Sequence, residues 1–383
     1  MDRKLRYGMV GGGPGAFIGA VHRKAIALEE NAVLTAGCFS SKQEKNIECG
    51  NAYNIEKGRV YANYKVMAEE EGKRKDKIDF VCVVTPNSTH YKICKAFLQA
   101  GINVLCEKPL CFTIEQAKEL SALTKEKNLY FGVCYTYSGY PMVKLAKKLV
   151  EDGEIGDVIN VNAEYLQDWL IDEIGGGDQS TTKLSVWRTD PEKSGISNCV
   201  GDIGTHIENT VAYITGLHPK KVSAVLDNYG MELDLNANML VEYENGVHGV
   251  YSCSQVCAGH LNGLVVRIFG SKGAIEWVQE DPNYLRVTKK GQPVQIYHRG
   301  TGYVTGRAAE LNHIPSGHPE GLVFAVANIY HSFMNAICNK LDGKENTKDD
   351  LDFPSVDDGV EGVCFVHASV KSSQNHAAWT ELL

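Results

Sequence analysis

The stretch YGMVGGGPGAFIGAVHRKA, residues 7–25, decides how the rest of the chain is read. An apolar run over Leu5–Val10 ends in glycines, and behind them the apolar residues return at helical spacing. Gly11, Gly13 and Ala16 satisfy G-x-G-x-x-[GA]. The first position allows a tight turn, the second lets the backbone approach a pyrophosphate, and the third lets a helix pack closely on the strand. A helix opening there turns its free amides and the positive end of its dipole toward the phosphates. The candidate cofactor contacts of this turn are Gly11, Gly13, Pro14, Gly15, Ala16, Phe17 and Ile18.

Outward from this turn, residues 1–135 alternate short apolar runs with amphipathic ones. Strands are expected at Leu5–Val10, Val33–Phe39, Phe80–Val84, Asn103–Glu107 and Tyr130–Val133, with helices such as His90–Ala100 and Thr113–Lys127 between them. Continuous apolar strands separated by helices imply a parallel sheet covered on both faces, whose ligands lie beyond the carboxyl ends of the strands. From about Tyr140 the pattern changes. VINVNAEY (158–165) sets Ile159, Val161, Ala163 and Tyr165 on one face, the period of a half-buried strand. Runs at 222–226, 239–243, 247–256, 263–269 and 273–278 follow, and connections as short as ENG (244–246) and SKG (271–273) suit antiparallel hairpins.

The expected fold is an α/β Rossmann dinucleotide-binding domain over 1–135, joined to an α+β domain with a largely antiparallel open sheet. That second domain, for substrate and oligomerisation, spans 136–353, and a C-terminal helix and tail over 354–383 pack back on the first. The glycine-rich IGGGDQSTTK (174–183) and the region 298–317 read as mobile loops.

Composition narrows the function. The chain has 383 residues, 43% hydrophobic and 22% charged, with a formal charge of -8, which suits a two-domain globular protein and no nucleic-acid or acidic-membrane surface. The N-terminus has a positive start and an apolar centre, but its glycines and proline argue for a strand and turn over a signal peptide. No apolar run approaches the roughly 18 residues of a membrane span. Twelve cysteines without repeated spacing imply free thiols, with the cytoplasm as the expected location. No metal site is expected: Cys253 and Cys257 share a strand face but lack a matched second pair. A G-x-S-x-G elbow and a G-K-[ST] phosphate loop are both absent.

The chemistry gathers at strand ends. In VLCEKPL (104–110) a buried run terminates in Glu107 and Lys108, where a nicotinamide would lie, and VTPNSTH (84–90) places Thr85, Pro86, Asn87 and His90 on the neighbouring strand's loop. After the second strand, CFSSKQEK (38–45) offers Ser40, Ser41 and Lys42 in place of the acidic ribose ligand of NAD binders. Two hydroxyls suit a ribose and Lys42 suits a 2'-phosphate, so NAD versus NADP stays open, with NAD favoured. In GDIGTHIEN (201–209), Asp202 and His206 are four apart and would share a helix face, a carboxylate orienting an imidazole that takes a proton. Tyr135, Tyr137 and Tyr140 at the domain junction, with Trp169, Trp187, Arg188 and Asp190, mix aromatic planes and polar groups as a sugar site requires. Tyr135, Trp187 and Arg188 are also candidate cofactor contacts. GHPEG (317–321), expected to open a long helix, would add His318.

EKPL, TPNSTH and the glycine turn together resemble the glucose-fructose oxidoreductase, inositol dehydrogenase and rhizopine-catabolism family, over nearly the whole chain. The resemblance implies that Lys108 reaches both the substrate hydroxyl and the nicotinamide region, and that Asp202 and His206 are the catalytic pair. Two departures stand out: the glycine turn is about three residues longer than usual before His22, and the acidic ribose ligand is missing. GAFIGAVHR, WRTDPEKSG and GHPEGLVFAVANIY look like the branch containing levoglucosan dehydrogenase and enzymes that oxidise glycosides at C3. The implied activity moves hydride between NAD(P) and a secondary hydroxyl of a sugar, glycoside or cyclitol, at C3 of a glucoside. An inositol dehydrogenase, a glycosidase using bound NAD for transient oxidation, and a non-enzymatic dinucleotide sensor remain alternatives. A homo-oligomer formed through the second domain's sheet is expected.

Overall fold

The computed structural model describes residues 3–174 and 188–382, in two compact units: 1–139 with 322–360, and 140–321 with 361–383. The first unit runs β1 (Leu5–Gly11), α1 (Phe17–Leu28), β2 (Ala32–Cys38), α2 (Gln43–Ala52), α3 (Tyr64–Lys73), β3 (Phe80–Val84), α4 (Asn87–Gln99), β4 (Asn103–Cys106), α5 (Ile114–Glu126) and β5 (Phe131–Val133). Its five strands are parallel, in the order β2-β1-β3-β4-β5. Every residue of β3 is buried, which is why that strand is apolar without alternation. The strand order turns in opposite directions from β1 to β2 and from β1 to β3, so the crevice for a ligand opens at the carboxyl ends of β1 and β3.

The second unit contains α6 (Pro141–Glu151), β6 (Val158–Leu166), α7 (Thr205–Thr215), β7 (Pro219–Asp227), β8 (Asn236–Tyr243), β9 (His248–Ser254), β10 (Gly263–Gly270), β11 (Gly273–Val278), β12 (Tyr284–Lys289), β13 (Val294–His298) and β14 (Thr380–Glu381). They form a nine-stranded sheet, β13-β12-β11-β10-β6-β9-β8-β7-β14, antiparallel except where β6 meets β9. α7 packs on β6 and β10, where Val161, Ala163, Tyr165, Val266 and Ile268 are buried, and α6 packs on β11 and β12. On the other face Leu240 and Val250 stand opposite each other, 50% and 41% exposed. Ile159, expected to be buried with Val161, is 59% exposed near the start of β6. Strands β12 and β13 extend the sheet beyond the last run read from the sequence.

The domain limits depart from expectation in two places. Helix α8 (Leu322–Leu341), assigned above to the second domain, belongs to the first unit. Its stripe of Val326, Ile329, Tyr330, Phe333 and Ile337 is buried in one core with Tyr7, Met9, Phe80 and Leu105, and the rings of Phe80 and Phe333 meet edge to face at 5.5 Å. Helix α9 (Val356–Gln374) opens in the first unit, where Asp357 accepts from Ser121, but residues from 361 onward belong to the second. The tail pairs with β7 of this second unit, Thr380 opposite Val222, where the expectation above had assigned it to the first domain.

The region 298–317 is no loose loop. Arg299, 1% exposed, spends its guanidinium on Asn283 Oδ1 (2.9 Å), Glu320 Oε1 (2.8 Å) and the Ile314 carbonyl (2.8 Å), and also reaches Asn312 and the His318 carbonyl. Glu320 in turn accepts from the amides of His313 and Ile314 at 2.8 and 2.9 Å. The long helix therefore starts at Leu322, after this knot rather than within GHPEG. All twelve cysteines are free thiols. Among the described residues no helix is long and apolar enough to cross a membrane.

Candidate active site

In the first unit the glycine turn is built as the phosphate cradle requires. Gly11 and Gly12 have φ of +84° and +69°, where a side chain is strained, and a Cβ on Gly11 would lie 2.7 Å from the Val84 carbonyl oxygen. The third motif position is filled by Gly19 and not by Ala16. The longer turn starts α1 at Phe17 with Ala16 as its cap, and a Cβ on Gly19 would fall 2.3 Å from Gly12 Cα. The cleft beyond this turn measures about 900 Å³ and is walled by Gly11–Pro14, Ala16, Ser40, Ser41, Thr85 and Pro86. Its size and its glycine floor fit a dinucleotide. Gly15, Phe17, Ile18, Asn87 and Lys42 do not line it; Phe17 is 72% exposed and Lys42 is the exposed cap of α2. The lysine that does is Lys45, with Glu48 one turn further along the same helix.

Buried Asn46 shapes the wall after β2: its Oδ1 accepts from the amides of Phe39 and Ser40 at 2.6 and 2.9 Å, and its Nδ2 donates to the Ser40 carbonyl at 2.7 Å. Cys38 also faces the cleft, and burial pushes its thiol up to about 11, so it is neither charged nor nucleophilic at neutral pH.

Two predicted cofactor contacts turn inward. His90 is fully buried, with Nδ1 2.9 Å from the Pro109 carbonyl and Nε2 2.8 Å from that of Thr85, so it braces the two loops against each other. Burial pulls its pKa below the ordinary histidine value, although both carbonyls favour the cation. Glu107 Oε1 is 2.7 Å from Nε2 of buried His22, and its Oε2 accepts from the Lys108 amide at 3.1 Å. His22 Nδ1 meets the Tyr330 hydroxyl at 2.7 Å. Burial works against the His22 imidazolium, but Tyr330 and then Cys82 and Cys134 raise its pKa well above the ordinary value. Burial would raise Glu107, but the hydrogen bond and charge of His22, then the charge of Lys108, hold it below the usual carboxylate range. His22, Glu107 and Cys134 bring metal-ligand atoms within 4.8 Å of one another, yet Nε2 of His22 is already engaged with the carboxylate. Tyr135 and Tyr137 are buried in this unit, away from the cleft walls.

In the second unit Asp202 lies in a π turn, Val200–Gly204, and His206 follows in the first turn of α7, so the pair does not share one regular α-helix. Asp234 caps that turn, its Oδ1 accepting from the Asn198 amide and its Oδ2 from that of Val200, both at 2.9 Å. Asn198 donates to Gln255 Oε1 at 2.6 Å, and Gln255 Nε2 donates to Asp202 Oδ2 at 2.8 Å. The other Asp202 oxygen pairs with Arg188, whose guanidinium also lies 5.9 Å from the Trp169 ring. Arg188, expected at the cofactor, thus belongs to the Asp202 group.

His206 is 7% exposed, with its ring 6.2 Å from that of Tyr165. From Tyr165 a polar string continues: its hydroxyl and Gln167 Nε2 both donate to Asn262 Oδ1, at 3.1 and 2.8 Å, and Trp169 Nε1 donates to Gln167 Oε1 at 2.9 Å. Asp190 spends its carboxylate capping the short helix Pro191–Ser194 and pairing with Lys193. His318 is exposed beside the Arg299 knot. Trp187 and residues 175–183 of the glycine-rich loop lie outside the described residues.

Sequence reasoning missed His22, Tyr330, Gln255 and Asp234. Gln255 carried a signal, since a polar residue directly follows the alternating run of β9 at its buried end. Tyr330 carried none, being far from His22 in sequence.

Residues 5–135 match the family described as "Oxidoreductase family, NAD-binding Rossmann fold", and residues 143–276 match the GFO/IDH/MocA C-terminal domain. The oxidoreductase YfiI of Bacillus subtilis (strain 168) is 37% identical over 100% of this chain and 98% of its own. Levoglucosan dehydrogenase of Pseudarthrobacter phenanthrenivorans is 26% identical over 74% of this chain and 76% of its own. An inositol dehydrogenase homolog of Azotobacter vinelandii, solved with NAD+, superposes with a TM-score of 0.92 at 34% identity, covering 100% of this chain and 98% of that one. Solved with NADH and myo-inositol, the same homolog gives 0.90 at 33%, with the same coverage.

Proposed function

Because the chain belongs to the GFO/IDH/MocA oxidoreductase family, whose first domain is an NAD-binding Rossmann fold, we propose that it oxidises a secondary ring hydroxyl of a sugar, glycoside or cyclitol, with C3 of a glucoside as the site. Nicotinamide bound in the cleft supplies the hydride acceptor. Lys108 polarises the reacting oxygen, and His206 takes the hydroxyl proton. Asp202, held between Arg188 and Gln255, is the fixed negative charge of this group and steadies the imidazolium that forms. Tyr165, Gln167, Asn262 and Trp169 supply the hydrogen-bonding edge and aromatic plane that a ring polyol uses. The observation that carries the reading is Lys108 itself, placed directly after β4 with its amide tied to a carboxylate that a buried histidine holds.

We take NAD as the preferred cofactor. The cleft wall after β2 offers Ser40 and Ser41 to a ribose, and Lys45 and Glu48 line the same cleft with opposite charges, so the pair adds no net positive charge for a 2'-phosphate. The first unit holds the cofactor and the second the substrate. The outer sheet face around Leu240 and Val250 takes a second copy of the chain.

The test is an absorbance scan at the nicotinamide band while glucosides, cyclitols and free sugars are added with NAD or NADP. NADH should form with a glucoside, and a 3-deoxy analogue should bind without reducing cofactor. Turnover of that analogue at the normal rate rules out C3, and aglycone release without net NADH points instead to a glycosidase. A second reading, oxidation of myo-inositol, is favoured by the likeness to the Azotobacter vinelandii homolog solved with NADH and that cyclitol. The same scan separates the two.

A further inference from the structure

The glycine turn at the floor of the cleft is gripped from behind by a cation with no carboxylate partner. Five residues, Gly12 to Ala16, join β1 to α1, and three of them are glycines, the residues that lose most freedom when a loop is fixed. Such a loop keeps one shape only where it is tied. One tie is internal, the Ala16 amide donating to the Gly13 carbonyl at 3.0 Å. Another comes from Arg23 on α1, whose Nη1 donates to the Gly12 carbonyl at 2.6 Å. The guanidinium carbon lies 4.2 Å from the centre of the Tyr53 ring, and the Tyr53 hydroxyl reaches the same carbonyl at 3.4 Å. Tyr53 meets Phe39 edge to face at 5.2 Å, and Phe39 lines the cleft after β2. One stack of side chains therefore joins the turn after β1 to the wall after β2.

The Gly12–Gly13 peptide is trans, so its carbonyl and its N–H point in opposite directions. With the oxygen drawn onto Arg23, the N–H of Gly13 turns to the other side, and Gly13 lines the cleft while Arg23 does not. That amide has no acceptor among the described residues. A flipped peptide would instead present a carbonyl oxygen to an incoming anion. Arg23 is half-buried and forms no ion pair among the described residues, its printed bonds going to the Gly12 carbonyl and to Met9 Sδ at 3.7 Å. Its charge thus stays uncompensated until an anion enters on the far side of one peptide group, where little water separates the two.

We propose that Arg23 is a positioning residue for the cofactor's pyrophosphate: it holds the Gly12–Gly13 peptide with the N–H toward the cleft and sets an unspent positive charge behind it. The role rests on the cofactor reading of the cleft given above. A residue that only packed α1 in place would affect every ligand of the cleft alike. One that acts through this peptide affects the ligands that carry a pyrophosphate.

The experiment compares the full-length protein with Arg23→Met and Arg23→Lys. ADP-ribose, which has the pyrophosphate, is titrated by calorimetry, and adenosine, which has no phosphate, by ligand-observed NMR. Arg23→Met should weaken ADP-ribose about ten- to a hundredfold, as expected for losing a hydrogen bond from a charged donor, and leave adenosine within about twofold. Arg23→Lys keeps the charge but not the planar fork that both stacks on Tyr53 and reaches the carbonyl, so its loss should be smaller, about three- to tenfold, and again confined to ADP-ribose. Should the methionine variant not fold, the lysine variant decides alone. An equal loss for both ligands, or no loss for either, overturns the proposal. A wild-type protein that does not bind ADP-ribose would sink the cofactor reading itself, a result distinct from any difference between variants.

Discussion

A methyl group on Gly19 would come within 2.3 Å of Gly12 Cα, so α1 and the glycine turn touch backbone to backbone. Neither partner is a flexible side-chain end, and relief requires the helix to move off the strand. Gly19→Ala should therefore cost about 1–3 kcal/mol of stability, the usual range for overpacking, and weaken NAD binding at least tenfold. Ala16→Gly, at the position the sequence motif points to, should change NAD affinity far less. Thermal melting and calorimetric titration with NAD check both, and equal effects would contradict the assignment of the third position to Gly19.

Lys108→Met keeps the length and apolar stem of the side chain and removes the amine. The Glu107 carboxylate and the glycine cradle are untouched, so NAD affinity should stay within a few-fold of the original. The rate of the hydride step should fall about 10²–10⁴-fold, the range for loss of a positioned proton-handling group. Single-turnover absorbance and NAD fluorescence titration give the two numbers separately. Turnover within a few-fold of the original would end the catalytic reading of this residue.

What the sequence made legible was local. The parallel strands β1 to β5 and the hairpins β8–β9 and β10–β11 follow from short-range periodicity and turn residues, and the structure places them within a few residues of expectation. α8 was assigned to the wrong unit because its apolar stripe says only that it is buried, not against which sheet. Glu107 and His90 were read as cofactor contacts because strand-end position was visible and side-chain direction was not. Their partners, His22 and the Pro109 carbonyl, are brought close only by the fold.

The His22–Glu107 pair gives stability a defined pH window. His22 has a folded pKa above the unfolded value of 6.5, so its contribution is complete below 6.5 and fades as pH rises toward the folded value. Glu107 has a folded pKa below its unfolded 4.5, so its contribution is complete above 4.5 and fades as pH falls. The difference in melting temperature between the wild type and His22→Gln should be greatest between those two values and shrink on either side. A difference that grows from pH 7 to pH 9 would contradict a raised His22.

Arg299 and Glu320 make the sharpest stability prediction, because they turn a glycine- and proline-bearing stretch into ordered chain. Their side chains are 1% and 2% exposed, and between them they engage Asn283, Asn312 and the backbone at His313, Ile314 and His318. Removing one charge of a buried pair leaves the other without compensation, at a cost of about 3–5 kcal/mol. Glu320→Ala should lower stability by that amount and expose 298–321 to proteolysis, since the arginine loses its counter-charge and the amides of His313 and Ile314 lose their acceptor. Glu320→Gln keeps an acceptor oxygen and should cost less. Replacing both residues with apolar ones should recover part of the loss, because no buried charge then remains. Denaturant melts of the three proteins, read with limited proteolysis, decide it: a Glu320→Ala protein as stable and as protease-resistant as the wild type would mean that packing elsewhere orders the segment.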